Sequence, residues 1–212
     1  MEFYYFILSP LSRSVLFTAK ILDIKLNLKV VSLLKGEQKS EEYAKINPHS
    51  KVPTLVDGDF VLSESRAIMI YLFNKHGKSK DDYLYPKDLK KRAKVDQFLY
   101  YSASSFVSAL LGYFRIVFTG QRQPTEEEKS KFEGALADLD RIYFQNSNFL
   151  FGDKPTLADF DLAATLQQME LIKVDFSKYP RISKFLNAVK KSEFFKAGQQ
   201  EFKQTAEALQ KR

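Results

Sequence analysis

The sequence predicts a mixed α/β domain over residues 1–76, a linker over residues 77–87 and an all-helical domain over residues 88–212. Strand-length apolar runs and a strong hairpin signal occur in the first part, whereas the apolar residues of the last part recur only at helical spacing. The 212 residues, 44% hydrophobic and 28% charged, are enough for a buried core in each part.

The first domain is predicted to have the element order β-α-β-(α)-β-β-α. Residues 3–8 form an aromatic-rich run of strand length, and residues 13–22 have the apolar spacing of a helix. Residues 26–33 alternate as a second strand does, and the polar residues 35–45 predict a loop with a short helix. The side chains expected to point inward from the second strand are Leu26, Leu28 and Val30.

A hairpin and a helix complete the first domain. Asp57 and Gly58 lie between the apolar runs 52–56 and 60–62, a pattern typical of a β-hairpin. Helical spacing returns over residues 64–73, and the charged segment that follows predicts the linker.

The second domain is predicted to contain only helices. Residues 89–118 predict one long helix with an unusually aromatic apolar face. Pro124 and the acidic residues after it are typical of a helix start, and this helix is expected to reach Gln145. Further helices are predicted from Pro155, from Tyr179 and over residues 192–210.

The composition excludes several functions. Cysteine is absent, so the chain can form no disulfide, zinc–thiolate site or cysteine nucleophile, and any thiol chemistry needs a sulfur that a substrate supplies. The only histidines, His49 and His76, have no metal-ligand neighbours at suitable spacing, so no metal site is expected. Thr156 and Asp159 match a helix capping box, which gives Asp159 a structural role.

The apolar and charged patterns predict the partners and the location. No apolar run approaches the roughly 20 residues of a membrane span, and the N-terminus lacks the features of a signal peptide. We therefore expect a cytoplasmic protein that binds no membrane. The net charge is +7, but basic and acidic residues are interleaved, which disfavours nucleic-acid binding and favours small anionic ligands.

Ser9 lies between the first predicted strand and the first predicted helix. One interpretation is structural: Ser9 is the N-cap, with Pro10 at the first helical position. The other is functional, because a hydroxyl at the strand end, next to the positive end of a helix, stabilises a bound thiolate. The two interpretations are compatible.

Two further segments have a structural and a functional interpretation. Val52-Pro53 is either a plain turn or a cis peptide bond, and a cis bond would leave the Val52 main chain free to pair with an extended peptide. Glu64, Ser65 and Arg66 begin a helix, either as an ordinary cap or as a site for the ammonium and carboxylate of an α-amino acid.

These residues resemble the cytosolic glutathione transferases, in particular the arthropod delta and epsilon classes. The resemblance spans essentially the whole chain and implies a thioredoxin-like α/β N-terminal domain followed by an all-α C-terminal domain. The motifs that carry it are Phe3-Tyr4-Tyr5 with Ser9 and Arg13, Asn47-Pro48, Val52-Pro53-Thr54-Leu55-Val56-Asp57, Glu64-Ser65-Arg66-Ala67-Ile68, and Gly152 with Thr156, Ala158 and Asp159.

The resemblance implies an enzyme that conjugates reduced glutathione to small hydrophobic electrophiles, as in detoxification, with peroxidase or isomerase chemistry as an accessory activity. It implies that Ser9 donates a hydrogen bond to the glutathione sulfur and favours its thiolate form. Glutathione is then the co-substrate, and no metal is required. The residues implied to bind glutathione are Gln38, Ser50, Lys51, Val52, Pro53, Glu64, Ser65 and Arg66.

Four positions depart from the family pattern. Ser63 stands where tryptophan is common and Ser12 where cysteine is common, and the other two positions bear on the glycine end of glutathione. Histidine is frequent at the positions of Gln38 and Ser50, where the side chains face the glycine carboxylate of glutathione. Gln38 and Ser50 can donate hydrogen bonds but carry no charge, and losing one charge-assisted contact weakens binding by about 1.5–3 kcal/mol. The neighbouring His49 and Lys51 are the two candidates to supply the charge.

A second, apolar site is expected between the two domains. Any single aromatic residue in a stripe at helical spacing is more often part of the core. The number of aromatic residues in this stripe nevertheless favours a pocket that they line together. Tyr113 is the expected polar contact. The candidates are Leu11, Leu33, Phe106, Leu110, Tyr113, Phe114, Val117, Phe118 and Phe202.

A carrier of hydrophobic ligands with weak or no catalysis is the alternative function. The uncharged Gln38 and Ser50 keep this alternative open, and the intact Ser9 argues against it. The resemblance also implies a homodimer that is joined through the helices beginning near Glu64 and Leu89.

Overall fold

The computed structural model describes residues 1–144 and 147–210. The chain forms two compact units: Met1–Asp81 together with Glu193–Arg212, and Asp82–Ser192. The first unit is a mixed α/β structure and the second is helical, which confirms the predicted fold class.

The first unit has the predicted order of strands and helices. Its elements are β1 (Glu2–Tyr5), α1 (Pro10–Ile21), β2 (Asn27–Val30), α2 (Glu41–Ile46), β3 (Thr54–Asp57), β4 (Phe60–Ser63) and α3 (Ser65–His76). Single turns of 3-10 helix at Glu37–Lys39 and Ser79–Asp81 precede α2 and follow α3. Gly58 in the hairpin turn has a φ of 65°, which glycine adopts without strain.

The second unit consists of five helices in its described part. They are α4 (Leu89–Tyr101), α5 (Val107–Thr119), α6 (Glu126–Asp138), α7 (Leu157–Glu170) and α8 (Pro180–Lys191), and α9 (Gln199–Gln210) then returns to the first unit. One π-helical turn, Ser102–Phe106, joins α4 to α5, and another, Leu139–Tyr143, extends α6. The predicted end of this helix at Gln145 lies outside the described residues.

The four strands form one sheet in the order β2-β1-β3-β4. β1 and β2 are parallel, whereas β3 is antiparallel to both β1 and β4. Fully buried side chains from the sheet and from α1 and α3 form the core of this unit, which holds the sheet and the two helices together by apolar burial. They include Phe3, Phe17, Leu55, Ile68 and Leu72.

The prediction that β2 buries its apolar residues is wrong. Leu28 is 47% exposed and Val30 is 59% exposed. They pair in register with Phe3 and Tyr5, so they share the face of the buried β1 side chains. β2 is the edge strand of the sheet, however, and its side chains on this face are left largely uncovered.

Two helices of the second unit begin with capping boxes. Thr125 and Glu128 exchange side-chain and main-chain hydrogen bonds at the start of α6, and Thr156 and Asp159 do the same at the start of α7. Each box satisfies two main-chain donors that a helix start would otherwise leave unpaired. The predicted helix starts and the structural role of Asp159 are therefore confirmed.

Within residues 1–144 and 147–210, one helical stretch, Leu89–Thr119, is long and apolar enough by composition to cross a membrane. This differs from the sequence-based expectation, because residues 97–114 contain small and polar residues but no charge. Core helices of soluble proteins meet the same criterion of length and composition, so the finding by itself does not assign the chain to a membrane.

The C-terminal segment packs with the first unit, although the sequence places it with the helical domain. The rings of Phe194 and Phe195 each lie 5.6 Å from the ring of Phe17 in α1. Burial of these rings against α1 explains why the segment packs there. No local sequence pattern predicts this placement. The unit boundary at Asp81 falls inside the predicted linker 77–87.

Candidate active site

The sheet register brings the predicted glutathione-binding segments to one end of the strands, which we call the sheet edge. Tyr4 of β1 pairs with Thr54 of β3, which pairs with Ser63 of β4, and Tyr5 pairs with Val30 of β2. Because β1, β2 and β4 end at this edge and β3 begins there, the adjoining segments converge. These segments carry Ser9, Leu33, Gln38, Ser50, Lys51, Val52, Pro53, Glu64, Ser65 and Arg66.

Ser9 is the N-cap of α1, as predicted. Its Oγ accepts a hydrogen bond from the Ser12 N–H at 3.4 Å, and Pro10 occupies the first helical position. No described residue accepts the proton of the half-buried Ser9 hydroxyl. This proton is therefore available to a ligand, in a place where the helix start contributes positive potential.

The turn formed by residues 6–9, which we call the Ser9 turn, is held by one hydrogen bond within the turn and by two hydrogen bonds to side chains of α1. The Ser9 N–H donates to the Phe6 carbonyl at 2.9 Å, and the Ser12 hydroxyl accepts from the Phe6 N–H at 3.4 Å. Nη1 of the fully buried Arg13 donates to the Ile7 carbonyl at 2.9 Å. These contacts fix the direction in which Ser9 leaves the strand.

The Val52–Pro53 peptide bond is cis, so the structure selects one of the two alternatives that the sequence left open. Val52 and Pro53 are both buried and lie directly before β3. Val52 takes no part in the register of β1 with β3 or in that of β3 with β4. Its main chain is therefore outside the sheet ladder.

A buried polar cluster holds the loop in front of β3. The Lys51 carbonyl accepts hydrogen bonds from the Tyr43 hydroxyl at 2.7 Å and from Nδ2 of Asn47 at 2.9 Å. Thr54 Oγ1 lies 2.9 Å from both of these donor atoms. Burial raises the pKa of the Tyr43 phenol, which remains protonated and can act as a donor.

Tyr43, Asn47 and Thr54 were given no role by the sequence. Asn47 and Thr54 lie inside two of the motifs that carry the family resemblance. Membership of these motifs was the only feature of the sequence that pointed to them. Their shared hydrogen-bond partner, the Lys51 carbonyl, immediately precedes Val52. The cluster therefore fixes the main chain on which the predicted peptide contact depends.

The start of α3 combines an unusual backbone with an unpaired hydroxyl. Glu64 has a φ of 66°, a conformation that costs a non-glycine residue roughly 1–3 kcal/mol and is common at functional sites. Ser65 is 2% exposed, and its Oγ has no hydrogen-bond partner among the described residues. A buried hydroxyl at the N-terminus of a helix suits an anionic ligand. Glu64 is exposed and Arg66 is half-buried.

Gln38, Ser50 and Lys51 lie on the segments flanking α2. Oε1 of Gln38 is buried and has no partner among the described residues. Ser50 has a φ of 52°, and its N–H donates to the Asn47 carbonyl at 2.9 Å. The side chain of Lys51 is exposed, so its ammonium is accessible to an anion.

The predicted hydrophobic-site residues differ widely in exposure. Phe106 and Leu110 are fully buried, and Phe114 is 8% exposed. Phe202 is also buried and packs under Arg13 within the first unit. The members with accessible surface are Leu11, Leu33, Tyr113, Val117 and Phe118.

Tyr113 lines a cavity inside the second unit. Its ring stacks on the ring of Phe132 at a centroid distance of 4.2 Å. The cavity has a volume of about 220 Å³, and Val117 and Ile172 also contribute to its wall. Tyr113 therefore contacts α6 as well as facing accessible space.

No group of three or more His, Cys, Asp or Glu side chains suited to a metal ion occurs in residues 1–144 and 147–210. The sheet edge instead offers hydroxyls, amides and the start of α3, with three charged side chains: the Glu64 carboxylate, the Arg66 guanidinium and the Lys51 ammonium. This set fits a peptide with a thiol and an amino-acid end. The fold and these groups do not by themselves give the reaction, because one fold supports many activities.

Comparison with known proteins gives the family. Residues 3–80 match the glutathione S-transferase N-terminal domain and residues 122–188 match the glutathione S-transferase C-terminal domain. The chain is 36% identical over 186 residues to glutathione S-transferase D7 of Drosophila melanogaster, covering 88% of this chain and 82% of that protein.

Solved structures agree with the sequence matches. A delta-class glutathione transferase of Nilaparvata lugens has a TM-score of 0.86 at 38% identity, covering 98% of this chain and 99% of that one. A glutathione transferase homolog of Drosophila mojavensis with bound glutathione has a TM-score of 0.88 at 33% identity, covering 99% and 96%.

The chain belongs to the glutathione S-transferase family. It is a glutathione transferase that uses glutathione as its co-substrate, and its fold is that of the delta and epsilon classes of insects. Membership of this family, which the sequence motifs predicted, is thereby confirmed, together with the enzyme class and the glutathione-conjugating function.

Proposed function

We propose that Ser9 holds the sulfur of glutathione as a thiolate. The observation that carries this proposal is the Ser9 hydroxyl itself, whose oxygen is used by the Ser12 N–H while its proton has no acceptor among the described residues. A hydrogen bond donated to a charged sulfur, together with the positive end of α1, favours the thiolate and lowers the thiol pKa. The thiolate, not the thiol, is the nucleophile.

Glutathione is proposed to lie along the sheet edge in an extended conformation. Ser65 and the first N–H groups of α3 bind the carboxylate of its γ-glutamyl end, Glu64 binds the ammonium, and Arg66 supports this end. The Val52 main chain, next to Pro53, pairs with the cysteinyl backbone as an added strand does. Gln38, Ser50 and Lys51 bind the glycine end.

The second substrate is proposed to be a small hydrophobic electrophile. The sulfur forms the new bond to carbon, and a leaving group such as halide departs with the electron pair of the broken bond. The accessible candidates Leu11, Leu33, Tyr113, Val117 and Phe118 are the first choices for contacts with it. Phe106, Leu110, Phe114 and Phe202 remain candidates whose surface is buried.

The assembly and the location complete the proposal. We expect a homodimer joined through α3 and α4, and a cytoplasmic enzyme. Residues 1–76 are proposed as the glutathione domain, 77–87 as the linker and 88–212 as the electrophile domain, with the last helix serving the first unit. Sedimentation at micromolar concentration tests the dimer independently of activity.

Three substitutions at Ser9 test the proposal. Ser9→Ala removes both the hydroxyl and the helix cap, whereas Ser9→Gly removes the hydroxyl but costs the cap only a few tenths of a kcal/mol. Ser9→Thr keeps a donor. We expect Ser9→Ala and Ser9→Gly to lower kcat for a chloronitroaromatic acceptor about 10- to 100-fold while glutathione still binds, and Ser9→Thr to retain most activity.

The pKa of bound glutathione, followed by the ultraviolet absorbance of its thiolate, gives the decisive readout. It should rise in Ser9→Ala and Ser9→Gly and stay near the wild-type value in Ser9→Thr. Unchanged thiol pKa values in all three variants would refute the role of Ser9. Wild-type protein that fails to bind millimolar glutathione would instead favour the carrier alternative.

A further inference from the structure

The C-terminal helix α9 contacts the residue that precedes the Ser9 turn. Tyr5 donates its hydroxyl hydrogen bond to Glu201, whose two carboxylate oxygens lie 3.0 and 2.9 Å away. Tyr5 is 3% exposed, and burial, reinforced by the neighbouring carboxylate, raises the pKa of its phenol. The hydroxyl therefore remains a donor across the neutral pH range and ties α9 to the end of β1.

A second contact joins α9 to the start of α1. The guanidinium carbon of Arg13 lies 4.3 Å from the centroid of the Phe202 ring, and both side chains are buried. The face of an aromatic ring attracts a cation, more strongly where water is excluded. Because Arg13 also donates to the Ile7 carbonyl, Phe202 supports the Ser9 turn through one intervening side chain.

A third contact lies immediately before α9. Gly198 has a φ of 69°, and a Cβ at this position would lie 2.8 Å from Cδ1 of Ile7 and 3.5 Å from Cδ1 of Leu16. Glycine permits both the backbone conformation and the close approach. The C-terminal segment therefore contacts residues before, within and after the Ser9 turn.

We propose that Glu201 and Phe202 are positioning residues for the transferase reaction, which act through Tyr5 and Arg13 to keep the Ser9 hydroxyl directed at the glutathione sulfur. This inference rests on the proposed role of Ser9. A hydrogen bond to a charged atom weakens steeply with misalignment, and a displacement of about 1 Å in a supporting contact costs up to roughly 100-fold in rate. Phe202, expected from the sequence to line the hydrophobic site, is thereby given a positioning role through Arg13 as well.

The thiol pKa of bound glutathione and the steady-state constants test this role. We expect Phe202→Leu and Glu201→Ala to raise the thiol pKa by about 0.5–1 unit and to lower kcat at about pH 6.5 three- to tenfold, with KM for glutathione changed less than about twofold. Glu201→Gln keeps an oxygen that accepts from Tyr5, so it should stay within about twofold of the wild type.

Phe195→Leu is the matched control for Phe202→Leu. Phe195 is a buried ring of the same C-terminal segment, and it packs on the ring of Phe17, which lies farther along α1 than Arg13. We expect this variant to lower the melting temperature without moving the thiol pKa. A positioning role is thereby separated from general loss of stability.

The double variant Ser9→Ala, Phe202→Leu decides whether the effect passes through Ser9. If it does, the double variant has the thiol pKa of Ser9→Ala alone. Additive shifts, or wild-type thiol pKa values in Phe202→Leu and Glu201→Ala, would overturn the positioning role and leave Ser9 in place. A wild-type thiol pKa in Ser9→Ala would overturn the role of Ser9 itself.

Discussion

The Ser65 hydroxyl lies buried at the start of α3 without a hydrogen-bond partner in the described part of the chain. A buried polar atom that is left unpaired costs free energy in the folded protein, and a ligand that pairs with it recovers that cost on binding. The Ser65 hydroxyl is therefore expected to lower the stability of the free protein and to strengthen the binding of glutathione.

We accordingly expect Ser65→Ala to bind glutathione about tenfold more weakly while its unfolding free energy stays unchanged or rises by up to about 1 kcal/mol. Calorimetric titration and urea unfolding measure the two quantities. Thr125→Ala is the control, because the Thr125 hydroxyl also lies at a helix start but accepts from the Glu128 N–H. Thr125→Ala should lose about 1 kcal/mol of stability and keep its glutathione affinity. Equal destabilisation by both variants would contradict the prediction for Ser65.

At the scale of single elements, the start of α7 depends on one buried carboxylate. Asp159 accepts hydrogen bonds from the Leu150 N–H at 2.8 Å, the Thr156 N–H at 2.7 Å and the Thr156 hydroxyl at 2.8 Å. Burial nevertheless raises the pKa of Asp159 to about 6, because it outweighs the hydrogen bonds that favour the charged form. The acid thus binds its proton more tightly in the folded chain than in the unfolded one.

This shift has a defined consequence for pH dependence. The stability that protonated Asp159 contributes is fully present below about pH 4, where Asp159 is protonated in both the folded and the unfolded chain. It is lost as pH rises through about 6. We expect Asp159→Asn to remove this component and to cost about 1–3 kcal/mol, since an amide presents only one oxygen to three donors. Urea unfolding of both proteins between pH 4 and 7 checks it, and a constant difference across that range would refute the assigned pKa.

Local elements were predictable where the causes are local. The Ser9 cap, the hairpin at Gly58 and the capping box at Thr156 depend on residues within a few positions of one another, and the structure has all three. The exposure of Leu28 depends on the position of β2 in the strand order, which a single strand pattern does not contain.

At the scale of the whole molecule, the residues that sequence reasoning missed are joined by contacts between separate elements, over short and long separations in sequence. Tyr43 and Thr54 meet at the Lys51 carbonyl, and Tyr5 meets Glu201 across 196 positions of sequence. The family motifs predict the segments proposed to bind glutathione, because each motif carries its own turn or helix start. Their convergence at one sheet edge required the strand register.

Removing the C-terminal segment should therefore damage the first unit. We expect a chain ending at Ser192 to lose the Phe17 contacts of Phe194 and Phe195, to unfold that unit at a lower denaturant concentration, and to bind glutathione poorly. Hydrogen exchange of β1 and α1 amides, with titration of glutathione, tests this. Wild-type protection and affinity in the shortened chain would show that residues 1–81 hold their structure without it.

The return of the C-terminal segment to the first unit also sets an order of synthesis. The residues proposed to bind glutathione are translated within the first 81 positions, but the contacts of α9 with Tyr5 and Arg13 form only after Glu201 and Phe202 have left the ribosome. Translation of residues 82–192 in between takes roughly 6–20 s at the usual elongation rate. During that interval the Phe17 surface is without the Phe194 and Phe195 rings that cover it and can be bound by chaperones, whereas the helical unit has its complete sequence as soon as the interval ends.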